Sequence, residues 1–289
     1  MHIIDPHIHL FNLEQGHYDW LKADKPPYWS DKKIIAKSFT EQNLALTDNF
    51  NLTGFIHIEA GFDNTQPWRE IAYLEQACQR PFRSIAFINL LLPTEQFCSQ
   101  LKKLISYKSV VGCRHILDEQ AASILTDGNA QHNLAILAEH QLMFEVQMPI
   151  SDELAVDALI SLTQKTPSLK LIINHAGLPV LNYKIDDLWL AGLQRLSQIE
   201  NCALKCSGWE MADRNYSSLV VENIIQHCLT IFDEQRVMLA SNFPLCLFSK
   251  NYQAFWQAQQ DMMIQLGLTQ HQQHLLMYQN AKNWYQLSC

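Results

Sequence analysis

Short runs of Val, Ile, Leu and Phe recur along the chain, each followed by a stretch whose apolar residues fall three and four apart. Eight runs stand out: HIID (2–5), GFIHIEA (54–60), RSIAFINL (83–90), SVVGCRH (109–115), LMFEVQ (142–147), LKLIINH (169–175), CALKCSG (202–208) and RVMLAS (236–241). They are apolar on both faces, the pattern of strands covered on both sides in a parallel sheet. The stretches between them read as amphipathic helices. WREIAYLEQACQR places Ile71, Leu74, Ala77 and Cys78 on one side. TEQFCSQLKKLIS opens on Thr94 as N-cap, and SDELAVDALISLTQK on Ser151, with Glu153 and Leu154 in its first turn. Eight strand–helix alternations predict a single (β/α)8 TIM-type barrel domain over residues 1–289.

Prolines mark the register. Pro93, Pro149, Pro179 and Pro244 each lie just past a strand, where a ladder can no longer continue. The segment from Asn12 to Ala36, with HYDW and PPYW, is a long loop after strand 1 and is expected to help roof the site. The helical stretch YQAFWQAQQDMMIQL, rich in Gln, Met and aromatics, is expected to pack on the barrel as an outer helix.

Composition narrows the function classes. The chain has 289 residues, 48% hydrophobic and 17% charged, so a sizeable core is available. A net charge of -8 and scattered Lys and Arg give a nucleic-acid role no electrostatic support. No apolar run reaches the roughly 18 residues of a membrane span. The first strand starts almost at Met1, which leaves no room for a signal peptide. Eight cysteines without a CxxC pair, several in apolar runs, read as reduced thiols of a cytoplasmic protein.

In a barrel enzyme the chemistry sits at the C-terminal strand ends. Polar residues gather there: Asp5, His7 and His9, taken to share one parity, then His57 and Glu59, Arg114 and His115, and Glu145 and Gln147. Asn174 and His175 follow, then Lys205 and Ser207, then Trp209 and Glu210, and last Ser241 and Asn242. Desolvating each such group alone costs on the order of 1–3 kcal/mol, so together they predict one polar pocket. Taken singly, His115 reads as a loop residue, Lys205 as an ion-pair partner of Glu145 or Glu59, and Glu210 as a solvated carboxylate. His7 and His9, at i and i+2 on a strand, point to one side.

The segments DPHIHLFN, HYDW, FIHIEAG, VVGCRHIL, NHAGLP, LKCSGWEM and LASNFP, in this order, make the chain resemble the amidohydrolase superfamily. The likeness is to its branch of sugar-lactone and 2-pyrone-4,6-dicarboxylate lactonases. That resemblance implies a hydrolase of a small polar or anionic cyclic ester. His7, His9 and His175 would polarise the carbonyl, and Arg114 would hold a carboxylate or hydroxyl of the substrate. His115, Lys205, Ser207, Trp209, Tyr18 and Trp20 would complete the substrate site. Where the superfamily carries a water-activating aspartate on strand 8, this chain has Asn242. An amide cannot take a proton from water near neutral pH, so Asn242 would position the water and Glu59 or Glu145 would act as base. The resemblance also implies either no cofactor or one divalent metal, zinc or manganese, on His7, His9 and His175. Two alternatives remain: a metal-dependent decarboxylase-type lyase, and a non-catalytic binding protein. The implied partner is a small molecule, and oligomeric state is not legible.

Overall fold

In the computed structural model, which describes residues 1–47 and 49–288, eight parallel strands pair in chain order. They are β1 (His2–Ile8), β2 (Asn51–Ile58), β3 (Phe82–Phe87), β4 (Val110–Arg114), β5 (Met143–Val146), β6 (Leu171–Ile173), β7 (Cys202–Cys206) and β8 (Val237–Leu239). The sheet closes between β8 and β1. Ile8 bridges Phe243 in parallel, and the His9 N–H donates to the Phe243 carbonyl at 2.7 Å. A TIM-type (β/α)8 barrel results, as the alternation predicts.

Outside the strands lie α1 (Trp68–Ala77), α2 (Thr94–Leu104), α3 (Ala121–Thr126), α4 (Gly128–Glu139), α5 (Glu153–Lys165), α6 (Asp187–Leu196), α7 (Trp209–Ala212), α8 (Ser218–Phe232) and α9 (Tyr252–Gln265). Their ends differ in detail from the sequence reading. Thr94 is already helical and Pro93 precedes it as cap, because proline's missing N–H costs nothing there. The cap of α5 is Asp152, not Ser151; its carboxylate accepts from Leu154 and Ala155. Helix α1 stops at Ala77, which is exposed, and only Ile71 and Leu74 of the expected stripe are buried. Helix α9 buries Tyr252, Phe255, Trp256, Met262 and Met263 as an outer helix.

The barrel interior is a small core of Ile4, Ile56, Ile58, Ile85, Met143, Ile172, Ala203 and Met238. Ala281, Tyr285 and Leu287 from the C-terminal segment plug it at the bottom. The larger core lies between strands and helices. Cys113, Cys202, Cys206, Cys228 and Cys246 are free and buried, whereas Cys98 is exposed; Cys289 lies outside the described residues. Among the described residues no helix is long and apolar enough to cross a membrane.

One register shift changes the reading of β1. Asp5 pairs with Phe55, but Ile8 pairs with His57, so β1 carries one extra residue between them. Asp5 therefore faces outward while His7 turns inward. The Asp5 carboxylate accepts from the Ser241 N–H (3.1 Å) and the Tyr252 hydroxyl (3.0 Å), lacing the β1–β8 seam.

Candidate active site

A cavity of about 740 Å³ opens at the C-terminal strand ends. His9, Glu59, Arg114, Gln147, His175 and Asn242 line it from the ends of six different strands, and Asn64, Asp118 and Glu119 add polar groups from the loops. Trp20, Pro26, Pro27 and Trp29 of the long first loop form one wall, so that loop does roof the site. Arg214 pins it down by pairing with Asp31 at 2.9 Å while lying over the Trp29 and Phe248 rings.

The three histidines come together as expected. His7 and His9 rings lie 4.9 Å apart and His7 and His175 rings 4.6 Å apart. Their tautomers follow from their partners. The Ile58 carbonyl only accepts, so His9 donates through Nδ1 (2.9 Å) and keeps its lone pair on Nε2. The Lys205 ammonium only donates, so His7 accepts at Nδ1 (3.4 Å) and carries its proton on Nε2, 3.2 Å from Nε2 of His9. His175 Nδ1 lies 2.9 Å from the Ser207 hydroxyl. All three imidazoles are held neutral, their pKa values pushed well down. Burial is the main cause, followed by Lys205 for His7 and by Arg114 for His9 and His175.

Several expected substrate contacts do not face the cavity. Glu145 lies beneath it, sealed in an ion pair with Lys205 (2.7 Å) and accepting from Asn174 Nδ2 (2.7 Å) and the Tyr285 hydroxyl (2.6 Å). It has no lone pair turned to the rim, which removes it as a base. Lys205 is consumed in the same cluster, and burial pushes its pKa down to about 8 despite Glu145. His115 accepts from the Leu90 N–H and packs on Phe87. Tyr18 turns inward onto Phe11 and Phe62, its hydroxyl accepting from Asn12 N–H. Trp209 and Ser207 line a smaller recess that shares His175 with the main cavity. His57 faces outward and donates to Glu70 of α1 at 3.1 Å, so it does not share a side with Glu59.

Arg114 is at the cavity but not free. Nε donates to Glu59 Oε1 (2.9 Å), Nη2 to the Glu59 carbonyl (3.0 Å), and Nη1 to Gln147 (3.0 Å) and Asn174 (3.3 Å). All three guanidinium nitrogens are thus engaged within the protein, and the open anion clamp expected from the sequence is absent.

Glu210, read from the sequence as a solvated carboxylate at the end of strand 7, belongs to the site. It is 1% exposed, not solvated, because α7 turns it back beneath the rim. Its carboxylate accepts from Asn242 Nδ2 at 2.7 Å, and burial raises its pKa to about 7. The cue was its place two residues after the strand-7 glycine.

The implied metal can be tested against the donors. The 3.2 Å separation of the His7 and His9 Nε2 atoms would suit two ligands of one ion. However, the ammonium of Lys205 at His7 Nδ1 keeps the proton on the nitrogen that would have to bind. His175 is tied through Nδ1 to Ser207, and strand 8 offers an amide. Among the described residues no group of three or more His, Cys, Asp or Glu side chains is placed to hold an ion. His9 and His175 are each held through Nδ1 with Nε2 left over, but with His7 in this tautomer the three histidines do not by themselves complete a zinc or manganese site.

Barrel closure, a histidine-lined rim and an aromatic roof loop define a (β/α)8 protein with its site at the strand ends. The chain belongs to the amidohydrolase family, whose profile matches residues 4–287. It is 26% identical to the uncharacterised protein y4mH of Sinorhizobium fredii, over 99% of this chain and 98% of the relative. It is 24% identical to an L-fucono-1,5-lactonase of Burkholderia multivorans, over 86% of this chain and 84% of that one. Among solved structures, an amidohydrolase of Burkholderia multivorans with bound zinc superposes with a TM-score of 0.79 at 19% identity, covering both chains fully. A probable 2-pyrone-4,6-dicarboxylic acid hydrolase of Acinetobacter baumannii with bound citric acid gives 0.70 at 15%, covering 99% of this chain and 100% of that one. At these identities the structural likeness speaks for the fold alone.

Proposed function

We propose that the protein hydrolyses a small, neutral, polyhydroxylated cyclic ester of the sugar-lactone type. Family membership and the L-fucono-1,5-lactonase relative support a lactone substrate. The observation that carries the choice of a neutral one is the charge of the cavity. Among the described residues its one cation, Arg114, is spent on Glu59, Gln147 and Asn174, while Asp118 and Glu119 add negative charge at the mouth. A carboxylated lactone would enter a site with no free positive donor. A sugar ring, by contrast, finds polar groups below and the Trp20 and Trp29 side chains beside it.

In this reading His175 supplies the hydrogen bond to the lactone carbonyl. The reading requires the Ser207 hydroxyl, 2.9 Å away, to donate to Nδ1, which puts the proton on Nε2 and lets a neutral imidazole polarise the carbonyl without itself losing a proton. The His7–His9 pair fixes the floor beside it. Asn242 holds the attacking water, and Glu59, the carboxylate on the cavity wall among these groups, accepts its proton. The lactone C–O bond then breaks as the ring oxygen takes up the proton that Glu59 received from the water, giving the open hydroxy acid and restoring the carboxylate.

The test is a pH-indicator assay of acid release from L-fucono-1,5-lactone, other neutral sugar 1,5-lactones and a 2-pyrone dicarboxylate. Turnover of a neutral lactone with at least a hundredfold higher kcat/KM than the dicarboxylate is expected. Preference for the dicarboxylate, or no turnover of any lactone, would overturn the reading.

A further inference from the structure

Asn242 stands at the end of β8 in the left-handed backbone region, with φ of 57°, and lines the cavity. Its side chain is only half satisfied. Nδ2 donates to Glu210 Oε1 at 2.7 Å, while Oδ1 is buried with no protein partner. A buried carbonyl oxygen left unpaired costs on the order of 1–3 kcal/mol, so the site that keeps one has a use for it. The amide cannot turn over to relieve this. Turning would bring Oδ1 against the Glu210 carboxylate, acceptor against acceptor.

We propose that Glu210 is a positioning residue of the cavity: its carboxylate holds the Asn242 amide in one orientation, so that the strand-8 position presents a fixed hydrogen-bond acceptor to a substrate hydroxyl or to the attacking water. Relative to the strand-8 aspartate that the sequence resemblance implies, charge and acceptor are divided between two residues: the negative charge lies on Glu210 of α7, and the acceptor belongs to Asn242, which lines the cavity. The kinetic part of this inference rests on the lactonase reading, whereas the orientation of the amide does not.

The surroundings of Glu210 show what sets its charge state. Arg214 donates to its backbone carbonyl and favours the carboxylate. Tyr216 on the same connection and Cys246 on the turn after β8 are pushed up chiefly by burial, with the charge of Glu210 adding to it. Burial outweighs Arg214 and brings the group to about 7. The fixed orientation belongs to the carboxylate form: a protonated Glu210 would be a donor, its partner would be Asn242 Oδ1, and the amide would turn.

The test uses uniformly 15N-labelled full-length protein. The Asn242 side-chain amide pair is identified by its loss in Asn242→Ser and followed from pH 5.5 to 8.5. A shift with a midpoint near 7 is expected in the wild type, absent in Glu210→Gln and retained in Glu210→Asp; thermal melts establish that each variant is folded. In parallel, hydrolysis of a neutral sugar lactone should lose about tenfold in kcat/KM in Glu210→Ala, the worth of one hydrogen bond, and its pH profile should flatten in Glu210→Gln. An amide pair that ignores pH in the wild type, or that titrates unchanged in Glu210→Gln, overturns the proposal. If the wild type hydrolyses no lactone, the functional reading fails and the resonances alone decide this one.

Discussion

Glu59 and Glu145 look alike along the chain, each closing an apolar run, yet their surroundings separate their roles. Glu145 is the counter-ion of a fully buried lysine and is saturated by Asn174 and Tyr285, while Glu59 stands on the cavity wall against Arg114. Removing one partner of a buried pair strands the other, at about 3–5 kcal/mol. Glu145→Ala is therefore expected to lose that much stability in urea unfolding. Glu59→Gln should lose at least a hundredfold in kcat with a smaller change in stability. Equal stability losses, or full activity in Glu59→Gln, would reverse the assignment. The sequence made the strand-end histidines, Arg114 and Asn242 legible, because ionisable and amide groups that interrupt apolar runs stand out. It could not show which of those groups are consumed by one another. That is decided by side chains from β4, β5, β6 and β7 meeting across the barrel.

At the scale of elements, the alternation of runs fixes eight strands and their order, but not their register. The extra residue in β1 sends Asp5 to the seam and His7 to the rim, and the one sign of it in IIDPHIHL is Pro6, which cannot donate to the ladder. Asp5 laces β1 to the chain after β8 and to Tyr252 of α9, and burial raises its pKa from 3.8 to about 6. The folded state then binds the proton more tightly than the unfolded chain. Stability from this group is thus fully present below pH 3.8 and is lost as pH rises towards 6, by roughly 3 kcal/mol at 1.36 kcal/mol per unit. Asp5→Asn keeps the acceptor for the Ser241 N–H and removes the charge. Its unfolding free energy, compared by urea titration at pH 4.5 and 6.5, should fall less with pH than that of the wild type. An unchanged fall would place the pH dependence elsewhere.

Across the whole molecule, the two ends of the barrel are joined by one polar column. The Tyr285 hydroxyl donates to Glu145, Glu145 binds Lys205, Lys205 donates to His7, and His7 donates to His9 at the cavity. Tyr285 also fills the bottom of the barrel with Ala281 and Leu287. Its role was invisible in the sequence, since 140 residues separate it from its partner and no strand pattern points to it. The two halves of that role can be told apart. Tyr285→Phe keeps the plug and removes one charge-assisted hydrogen bond, for an expected loss of about 2 kcal/mol. Tyr285→Ala also opens a void in the core and should lose about 4 kcal/mol or more. If the column matters for the rim, both variants will also lower kcat on a neutral lactone, and Tyr285→Phe will do so without exposing the core. A Tyr285→Phe protein as stable and active as the wild type would confine the residue to packing. The histidines would then take their orientation from Lys205 and the Ile58 carbonyl alone.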